Sequence, residues 1–392
     1  MKEKSMINYT FQANDHAKQL DFIKTLKESE FASKKMSEKV KVLQEQAFHC
    51  FPLGPITANN YFEIVSTLAE VCPSTALGFS MHLYTIWGLR LRENEHIQRY
   101  LEKVVSENAL FSSLNEPGLY FTDPSQLSTK SYSLVGKKHG DGYIVNGMKK
   151  FVSFEPYVQY LPTYCLVELE TGNEIIALLL DKDSPGVTIY PDWDSIAMSS
   201  TYSNSVEFTN VYVPKSAVIS DEKRKISNFS IQGYLFRFNV ASVYFGIAKK
   251  VVDYILKLCH YKKVPNSNKT LSFYPGVQFT LAEMLILLET SISQIYHFAK
   301  VLDQFIENKK EVVTKINSIS LITKEYVTKS AEEILNKAMK IEGIHSLSVT
   351  SPLSSLYKDV KAGRFHPPQS DITYEIIAKE KLGIISRTSR WL

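Results

Sequence analysis

The order of hydrophobic patterns along the 392-residue chain predicts a mainly α protein with a central β domain. Residues 1–108 carry apolar side chains at three- and four-residue spacings, which indicate helices with one buried face. Residues 109–220 contain short β-rich runs separated by turn residues. Helical periodicity returns in residues 221–392, in stretches long enough for an antiparallel bundle. The sequence therefore predicts three domains with these boundaries, in the order α, β, α.

The first segment contains one stretch that predicts a fully buried helix. Residues 74–91 are apolar nearly all round, and the few gaps are filled by small residues such as Gly78 and Gly88. A helix that is apolar on every side lies inside a bundle. His82 stands in the middle of this stretch, and we interpret it as a buried structural histidine rather than a ligand.

The middle segment predicts antiparallel strands joined by tight turns. Residues 140–147 (Gly-Asp-Gly-Tyr-Ile-Val-Asn-Gly) hold an Asp-Gly and an Asn-Gly dipeptide, both typical of hairpin turns. Residues 164–170 and 175–180 flank Thr-Gly-Asn and predict a hairpin. Residues 205–214 form a further strand candidate that ends at a proline. In the last segment, residues 241–258, 277–302 and 313–339 each predict a long helix.

Composition excludes several classes of protein. The net charge is +4, from 45 basic and 41 acidic residues, which is too balanced for a nucleic-acid-binding face. No run approaches the roughly 20 apolar residues of a membrane span, and the charged N-terminus lacks a signal-peptide core. The four cysteines are far apart in the sequence, so neither a metal site nor a disulfide is predicted. We expect a cytoplasmic protein that binds neither nucleic acid nor membrane.

Five segments then carry a set of family motifs, in order, over nearly the whole chain. They are residues 114–118 (Leu-Asn-Glu-Pro-Gly), 141–153 (Asp-Gly-Tyr-Ile-Val-Asn-Gly-Met-Lys-Lys-Phe-Val-Ser), 193–198 with 203–214, 279–284, and 352–359. Each is similar to a segment of the acyl-CoA dehydrogenase superfamily, and on this resemblance the chain is identified as a member. The resemblance implies that family's fold: an N-terminal α domain, a β-barrel-like middle domain and a C-terminal four-helix bundle.

The resemblance also implies a flavin cofactor, FAD, held between the middle and last domains. An isoalloxazine ring needs flat apolar contact and hydrogen bonds at its polar edge. Phe151 stands where the family has tryptophan, Ser153 keeps the family's hydroxyl, and Asn115 replaces the usual threonine. Leu114 and Thr122 belong to the same predicted flavin-binding segment.

The nucleotide half of the cofactor is expected to lie elsewhere. Gly343 matches one of the family's paired glycines, and Lys340 falls where a glutamine normally meets the nucleotide of a neighbouring subunit. A lysine there would suit a phosphate. Because the family completes its FAD site across subunits, the resemblance implies a homotetramer or homodimer.

The sequence departs from the family at the catalytic base. Family dehydrogenation needs a carboxylate that removes the α-proton of an acyl thioester. Pro367 occupies the position of the usual glutamate. The alternative glutamate precedes an arginine on the first long helix of the last domain, and here Phe236 precedes Arg237. The family base is missing from both positions.

Three explanations remain open at this point. The first is an FAD-dependent acyl-CoA dehydrogenase of fatty acid metabolism with a displaced base, for which His366, Asp371 and Glu375 are candidates. It would pass electrons to an electron-transfer flavoprotein, and this is the leading expectation. The second is a flavin-dependent monooxygenase served by a flavin reductase. The third is a non-catalytic acyl-CoA-binding member. Arg237 is either a supporting site residue or a salt-bridged bundle arginine.

Overall fold

A computed structural model describes residues 15–92, 94–121, 127–130, 132–169, 172–219, 230–309 and 312–384. Its element order is helices, then a sheet, then helices, which confirms the predicted fold class. The N-terminal helices are α1 (Asp15–Leu26), α2 (Met36–Glu45), α3 (Ala58–Val71), α4 (Pro73–Arg90) and α5 (Glu95–Ser106). A capping box formed by Thr57 and Asn60 starts α3, and Pro73 opens α4 at a position where its missing N–H is not needed.

Helix α4 is the central element of the N-terminal region. Every residue from Pro73 to Leu89 is buried, as its all-apolar pattern predicts. His82 lies inside this helix, and the backbone N–H of Phe111 donates to its Nδ1 at 3.0 Å. Because Nδ1 accepts, Nε2 carries the proton and donates to the carbonyl of His49 at 3.0 Å. His82 is thus a neutral histidine that joins α4 to the entry of the sheet.

This arrangement predicts a loss of stability in mild acid. Burial lowers the pKa of His82 to about 3 and that of His49 to about 4. In the folded protein both histidines therefore stay unprotonated at pH values where the same residues of the unfolded chain bind a proton, below about pH 6.5. The contribution of the two neutral histidines to the free energy of unfolding is fully present above about pH 6.5 and is lost as the pH drops towards 3. At pH 5 the loss is about 2 kcal/mol for each such histidine.

The measurement is urea denaturation of the wild type and of His82→Gln at pH 7 and pH 5. Glutamine keeps one donor and one acceptor but cannot be protonated, so we expect His82→Gln to lose about 2 kcal/mol less between the two pH values. An identical loss in both proteins would contradict a neutral His82.

The β segment forms one six-stranded sheet. Its strands are β1 (Leu134–His139), β2 (Gly142–Val152), β3 (Tyr160–Leu169), β4 (Gly172–Asp181), β5 (Val187–Tyr190) and β6 (Asn204–Val213). Their spatial order is β4-β3-β1-β2-β6-β5. The predicted hairpin is confirmed, because β3 and β4 pair antiparallel.

Two local predictions for the sheet were wrong. The Asp-Gly dipeptide does form the turn between β1 and β2, but Asn146-Gly147 lies within β2 at a register shift against β6. Gly147 has φ +124°, and an added Cβ would stand 2.0 Å from the carbonyl oxygen of Ser133, so glycine serves a bulge here. The sheet is also not purely antiparallel, since β1 and β3 run parallel. Sequence patterns between neighbouring strands do not reveal such non-sequential pairing.

The C-terminal region is built on three long helices, each of which overlaps a predicted one. They are α6 (Ser230–Tyr261), α7 (Pro275–Ile306) and α8 (Ile316–Glu342), followed by the shorter α9 (Pro352–Lys361) and α10 (Ser370–Lys381). Helix α6 packs against α3, α4, α7 and α8 and so connects the two helical regions. In the described part of the chain, no helix combines the length and apolarity needed to cross a membrane.

Candidate functional site

A cavity of about 520 Å³ opens where α4, the sheet and the C-terminal helices meet. Its apolar wall includes Leu77 and Met81 from α4, Phe236 from α6 and Ile372 from α10. Its polar wall comes from the sheet and its loops, mainly as serine and threonine hydroxyls. The cavity therefore has one side suited to hydrocarbon and one suited to hydrogen bonds.

Two aromatic rings stand at the polar side. Phe151 lines the cavity and is 59% exposed, which is unusual for phenylalanine. The indole of Trp193 meets it edge to face, with ring centroids 6.4 Å apart. Phe151 also has φ 58°, a left-handed conformation that costs a bulky residue free energy, and strain of this kind clusters at functional sites. The exposed ring offers a flat apolar face to a planar ligand.

Three hydroxyls follow one another along the same wall. Ser153 Oγ lies 3.0 Å from Ser203 Oγ, which lies 2.9 Å from Thr201 Oγ1. All three residues line the cavity. Ser153 was predicted as a flavin contact, whereas Ser203 and Thr201 were not. The serine- and threonine-rich run at residues 199–205 is the only sequence signal for them.

A second polar group comes from the loop that precedes the sheet. Ser113 and Asn115 both line the cavity, and the backbone N–H of Asn115 donates to Ser113 Oγ at 3.1 Å. The buried phenol of Tyr84 lies 2.5 Å from the same oxygen. Burial raises the pKa of Tyr84 to about 12, so the phenol keeps its proton. Asn115, predicted as a flavin contact, thus lines the cavity, and Tyr84 and Ser113 were not predicted from the sequence.

These features fit a flavin. The exposed Phe151 face suits the flat isoalloxazine ring, and the side chains of Ser153, Ser203, Ser113 and Asn115 suit its polar edge. Leu114 is fully buried beside this loop and supports it from behind rather than lining the cavity. Thr122 lies outside the described residues.

His366 lines the cavity beside the position where the family has its glutamate. Its Nε2 lies 3.1 Å from the hydroxyl of Tyr244, a fully buried residue of α6. Burial lowers the pKa of His366 to about 3, and the positive charge of Lys324 acts in the same direction. Burial also raises the pKa of Tyr244 well above its usual value. Both rings are therefore neutral at physiological pH.

The direction of this hydrogen bond follows from the buried phenol. Within the described residues, His366 Nε2 is the acceptor that Tyr244 meets, and a buried hydroxyl seldom leaves its proton unused. Tyr244 therefore donates, Nε2 accepts, and the ring proton of His366 is on Nδ1. Among the described residues, no hydrogen bond reaches Nδ1, and His366 lines the cavity, so Nδ1 is the ring nitrogen left for a ligand. His366 presents an N–H donor.

A buried charged cluster supports this loop from behind. Lys324 of α8 is fully buried and donates to the carbonyl of Pro368 at 3.1 Å. Burial lowers its pKa to about 8, opposed by the neighbouring carboxylate of Glu325. Glu325 in turn accepts from Ser370 at 3.0 Å and from Tyr374 at 2.7 Å, both on α10. The cluster fixes the His366 loop between α8 and α10.

Arg237 belongs to the surroundings of this cluster rather than to the cavity wall. It is buried, its Nε donates to the carbonyl of Gly233 at 3.1 Å, and its guanidinium lies 5.2 Å from the ring centre of Tyr234. Its positive charge contributes to the lowered pKa of Lys324. Its place is compatible with a supporting role, not with contact to a substrate in the cavity.

The remaining candidates lie away from the cavity. Asp371 is exposed at the start of α10, and Glu375 pairs with Lys379 at 2.7 Å. Lys340 and Gly343 lie at the C-terminal end of α8, where Gly343 has φ +77° and ends the helix. Among the described residues that line the cavity there is no aspartate and no glutamate.

Comparisons with known proteins identify what this chain is similar to. A family model described as the acyl-CoA dehydrogenase C-terminal domain matches residues 234–382. The chain is 24% identical over 369 residues to the putative acyl-CoA dehydrogenase YdbM of Bacillus subtilis, covering 92% of this chain and 93% of that protein. It is 23% identical over 286 residues to the caffeyl-CoA reductase-Etf complex subunit CarC of Acetobacterium woodii, covering 72% and 71%.

A solved structure extends the likeness to the fold. Dibenzothiophene monooxygenase (TdsC) from Paenibacillus sp. A11-2 superposes with a TM-score of 0.81 at 16% identity, covering 97% of this chain and 100% of that one. TdsC has also been solved with FMN bound. The α–β–α order and these matches confirm the resemblance read from the sequence motifs. The chain belongs to the acyl-CoA dehydrogenase superfamily, a family of flavin-binding oxidoreductases.

Proposed function

We propose that this protein is a flavin-dependent monooxygenase that uses reduced flavin and molecular oxygen. One observation carries the proposal: Tyr244 occupies Nε2 of His366 at 3.1 Å, which leaves the ring proton on Nδ1 and makes this cavity-lining residue, beside the family's base position, a hydrogen-bond donor. No carboxylate lines the cavity among the described residues. A site that offers donors and no base favours a reaction that needs no proton abstraction from carbon.

The dehydrogenase reaction, unlike the oxygenase reaction, requires a general base on the cavity wall. A general base works best when its pKa lies near the working pH and a lone pair faces the proton. The pKa of His366 is about 3, and its accepting nitrogen is occupied by Tyr244. Neither Asp371 nor Glu375 is among the residues that line the cavity. These features weaken the leading expectation from the sequence.

The oxygenase reaction makes use of what the wall provides. A reduced flavin would supply two electrons to oxygen, so that one oxygen atom enters the substrate and the other leaves as water. The N–H of His366 would hold an acceptor atom of the substrate, while Leu77, Met81 and Phe236 surround its apolar body and exclude water. The buried cluster around Lys324 keeps the histidine in place.

The charges near the cavity restrict the substrate. Lys150 and Lys361 line it, and Lys361 is bound by Glu332 at 2.6 Å. Without a carboxylate on the described wall, an ammonium group would have no counter-charge there. We expect a largely apolar substrate that is neutral or anionic.

A dehydrogenase remains the second candidate, because YdbM matches 92% of this chain and its name is that of an acyl-CoA dehydrogenase. CarC, which is named as part of an Etf complex, supports an electron-transfer flavoprotein as the partner in that case. A flavin reductase is the partner under the oxygenase proposal.

For the cofactor we propose FAD, with its flavin ring in the cavity and its nucleotide on another subunit. Lys340 is exposed and Gly343 lies three residues after it, but neither lines the cavity of its own chain. A second copy, in a homodimer or homotetramer, would bring them to the nucleotide. FMN lacks this nucleotide and would need no such contact. FAD extracted from a purified protein with the molar mass of an oligomer would support the proposal, and FMN extracted from a monomer would contradict it.

The test of the function uses three probes with the same ring system. Protein reconstituted with FAD or FMN is reduced anaerobically and mixed with ¹⁸O₂ and either indole, indole-3-acetate or tryptamine, which are neutral, anionic and cationic. We expect a product that carries one ¹⁸O atom from indole or indole-3-acetate and none from tryptamine.

The opposing arm titrates the oxidised protein anaerobically with acyl-CoAs of increasing chain length. The flavin's visible band should persist throughout. Bleaching by an acyl-CoA, together with no ¹⁸O incorporation from any of the three probes, would replace the monooxygenase with a dehydrogenase that has a displaced base.

A further inference from the structure

The three hydroxyls on the cavity wall have a fixed direction of hydrogen bonding. The hydroxyl of Thr201 lies 2.9 Å from the carbonyl oxygen of Met198, and a carbonyl can only accept. Thr201 therefore uses its single proton there. Its contact with Ser203, at 2.9 Å, must then be donated by Ser203.

Because each hydroxyl has a single proton, the donor in the next contact is also determined. Ser203 has given its proton to Thr201, so its 3.0 Å contact with Ser153 is donated by Ser153. Ser153 Oγ is left with lone pairs only. Because Ser153 lines the cavity, it presents a hydrogen-bond acceptor to whatever binds beside it.

The end of the chain of hydroxyls is held firmly. The carbonyl of Met198 also accepts the backbone N–H of Thr201 at 3.0 Å, and the backbone N–H of Met198 donates to Asp359 of α9 at 2.7 Å. Thr201 and Ser203 are both buried. Reversal of the whole chain would remove the hydroxyl's hydrogen bond to the Met198 carbonyl, and reversal at Ser203 alone would place its proton against that of Ser153.

We propose that Thr201 and Ser203 are positioning residues that hold Ser153 as an acceptor, and that the cavity thereby binds reduced flavin more tightly than oxidised flavin. The redox-active nitrogen of the isoalloxazine ring carries a proton when reduced and is an acceptor when oxidised. An acceptor hydroxyl suits the first and opposes the second. The inference rests on the proposed flavin position against Phe151 and Ser153, and not on which reaction follows.

The test is the midpoint potential of the bound flavin in the wild type, Thr201→Val and Thr163→Val. Valine at position 201 frees the proton of Ser203, so Ser153 can point its own proton into the cavity. Thr163 is the matched control, since it is buried on β3, donates to the carbonyl of Leu161 at 3.1 Å and does not line the cavity.

We expect the wild type to bind reduced flavin at least about tenfold more tightly than oxidised flavin, which raises its midpoint potential by about 30 mV relative to free flavin. Thr201→Val should lose about three- to tenfold of this preference, the size of one hydrogen bond. Thr163→Val should keep it within about twofold. Equal potentials in the two variants, or tighter binding of oxidised flavin by the wild type, would overturn the proposal.

Ser203→Ala provides a second variant if Thr201→Val does not fold. It removes the acceptor of the Ser153 proton and should lower the preference to the same extent. The potentials are measured without substrate or oxygen, so this test is separate from that of the function. A protein that prefers reduced flavin and yet dehydrogenates acyl-CoA would keep this inference and reject the monooxygenase. A protein that incorporates ¹⁸O without such a preference would do the reverse.

Discussion

Gly246→Val is expected to lower the free energy of unfolding by about 3 kcal/mol or more, at or above the upper end of the usual range for overpacking. Gly246 lies on α6 where this helix crosses α3. An added Cβ would stand 2.2 Å from the carbonyl oxygen of Ser66 and 2.7 Å from the Cβ of Ala69. The first of these atoms is backbone, so a side chain cannot rotate away to relieve the contact. The two helices would have to separate along their length.

The control for this prediction lies on the same helix. An added Cβ at Gly233 would meet only the guanidinium of Arg237 at 3.5 Å, an ordinary contact. Gly233→Ala is therefore expected to be neutral, or to stabilise by up to about 1 kcal/mol through its higher helix propensity. Urea denaturation of both variants, with Gly246→Ala as a milder step, gives the comparison. Equal stability of Gly246→Val and the wild type would show that α3 and α6 do not pack this closely.

The close crossing of α3 and α6 illustrates which parts of the fold the sequence could predict and which it could not. Helices reveal themselves through local periodicity, and two of the three long C-terminal ones lie within a few residues of their expected bounds, whereas α6 begins at Ser230, well before residue 241. The buried α4 followed from its lack of a polar face. Which helices meet is set by contacts such as that of Gly246 with Ser66, which join residues 180 positions apart. The local sequence pattern does not reveal contacts between residues so far apart in the sequence.

The sheet shows the same limit. The turn at Asp141-Gly142 and the β3–β4 hairpin follow from adjacent residues. The parallel pairing of β1 with β3 and the bulge at Gly147 depend on which strand becomes the neighbour. An Asn-Gly dipeptide satisfies either a turn or a bulge, so its local chemistry alone could not decide between them.

The site was predictable where a motif residue contacts the cavity itself. Asn115, Phe151, Ser153 and His366 were all singled out from the sequence, and all four line it. The residues that decide what these groups can do come from distant segments. Tyr244, which sets the proton position on His366, is 122 residues away in the sequence. The state of a site residue therefore depends on partners that motifs do not name.

His366→Ala is expected to lower kcat/KM for oxygenation about tenfold, because it removes one positioning hydrogen bond and leaves the substrate acceptor unpaired. His366→Gln keeps an N–H donor and should recover activity to within about threefold of the wild type. If His366 were instead a general base, glutamine could not replace it, and the loss would be roughly 10²–10⁴-fold in both variants. The two roles therefore differ in the response to the conservative substitution.

The pH dependence separates the two roles independently. With a pKa of about 3, His366 is neutral throughout pH 5–8, so kcat/KM of the wild type should show no limb from this residue in that range. Activity that depends on the neutral ring would be lost only as the pH falls towards 3. A base of ordinary histidine pKa would instead produce a rising limb near pH 6.5 that disappears in His366→Ala. A flat profile together with rescue by glutamine identifies a donor, and a donor at this position is what distinguishes this cavity from one built to remove a proton from carbon.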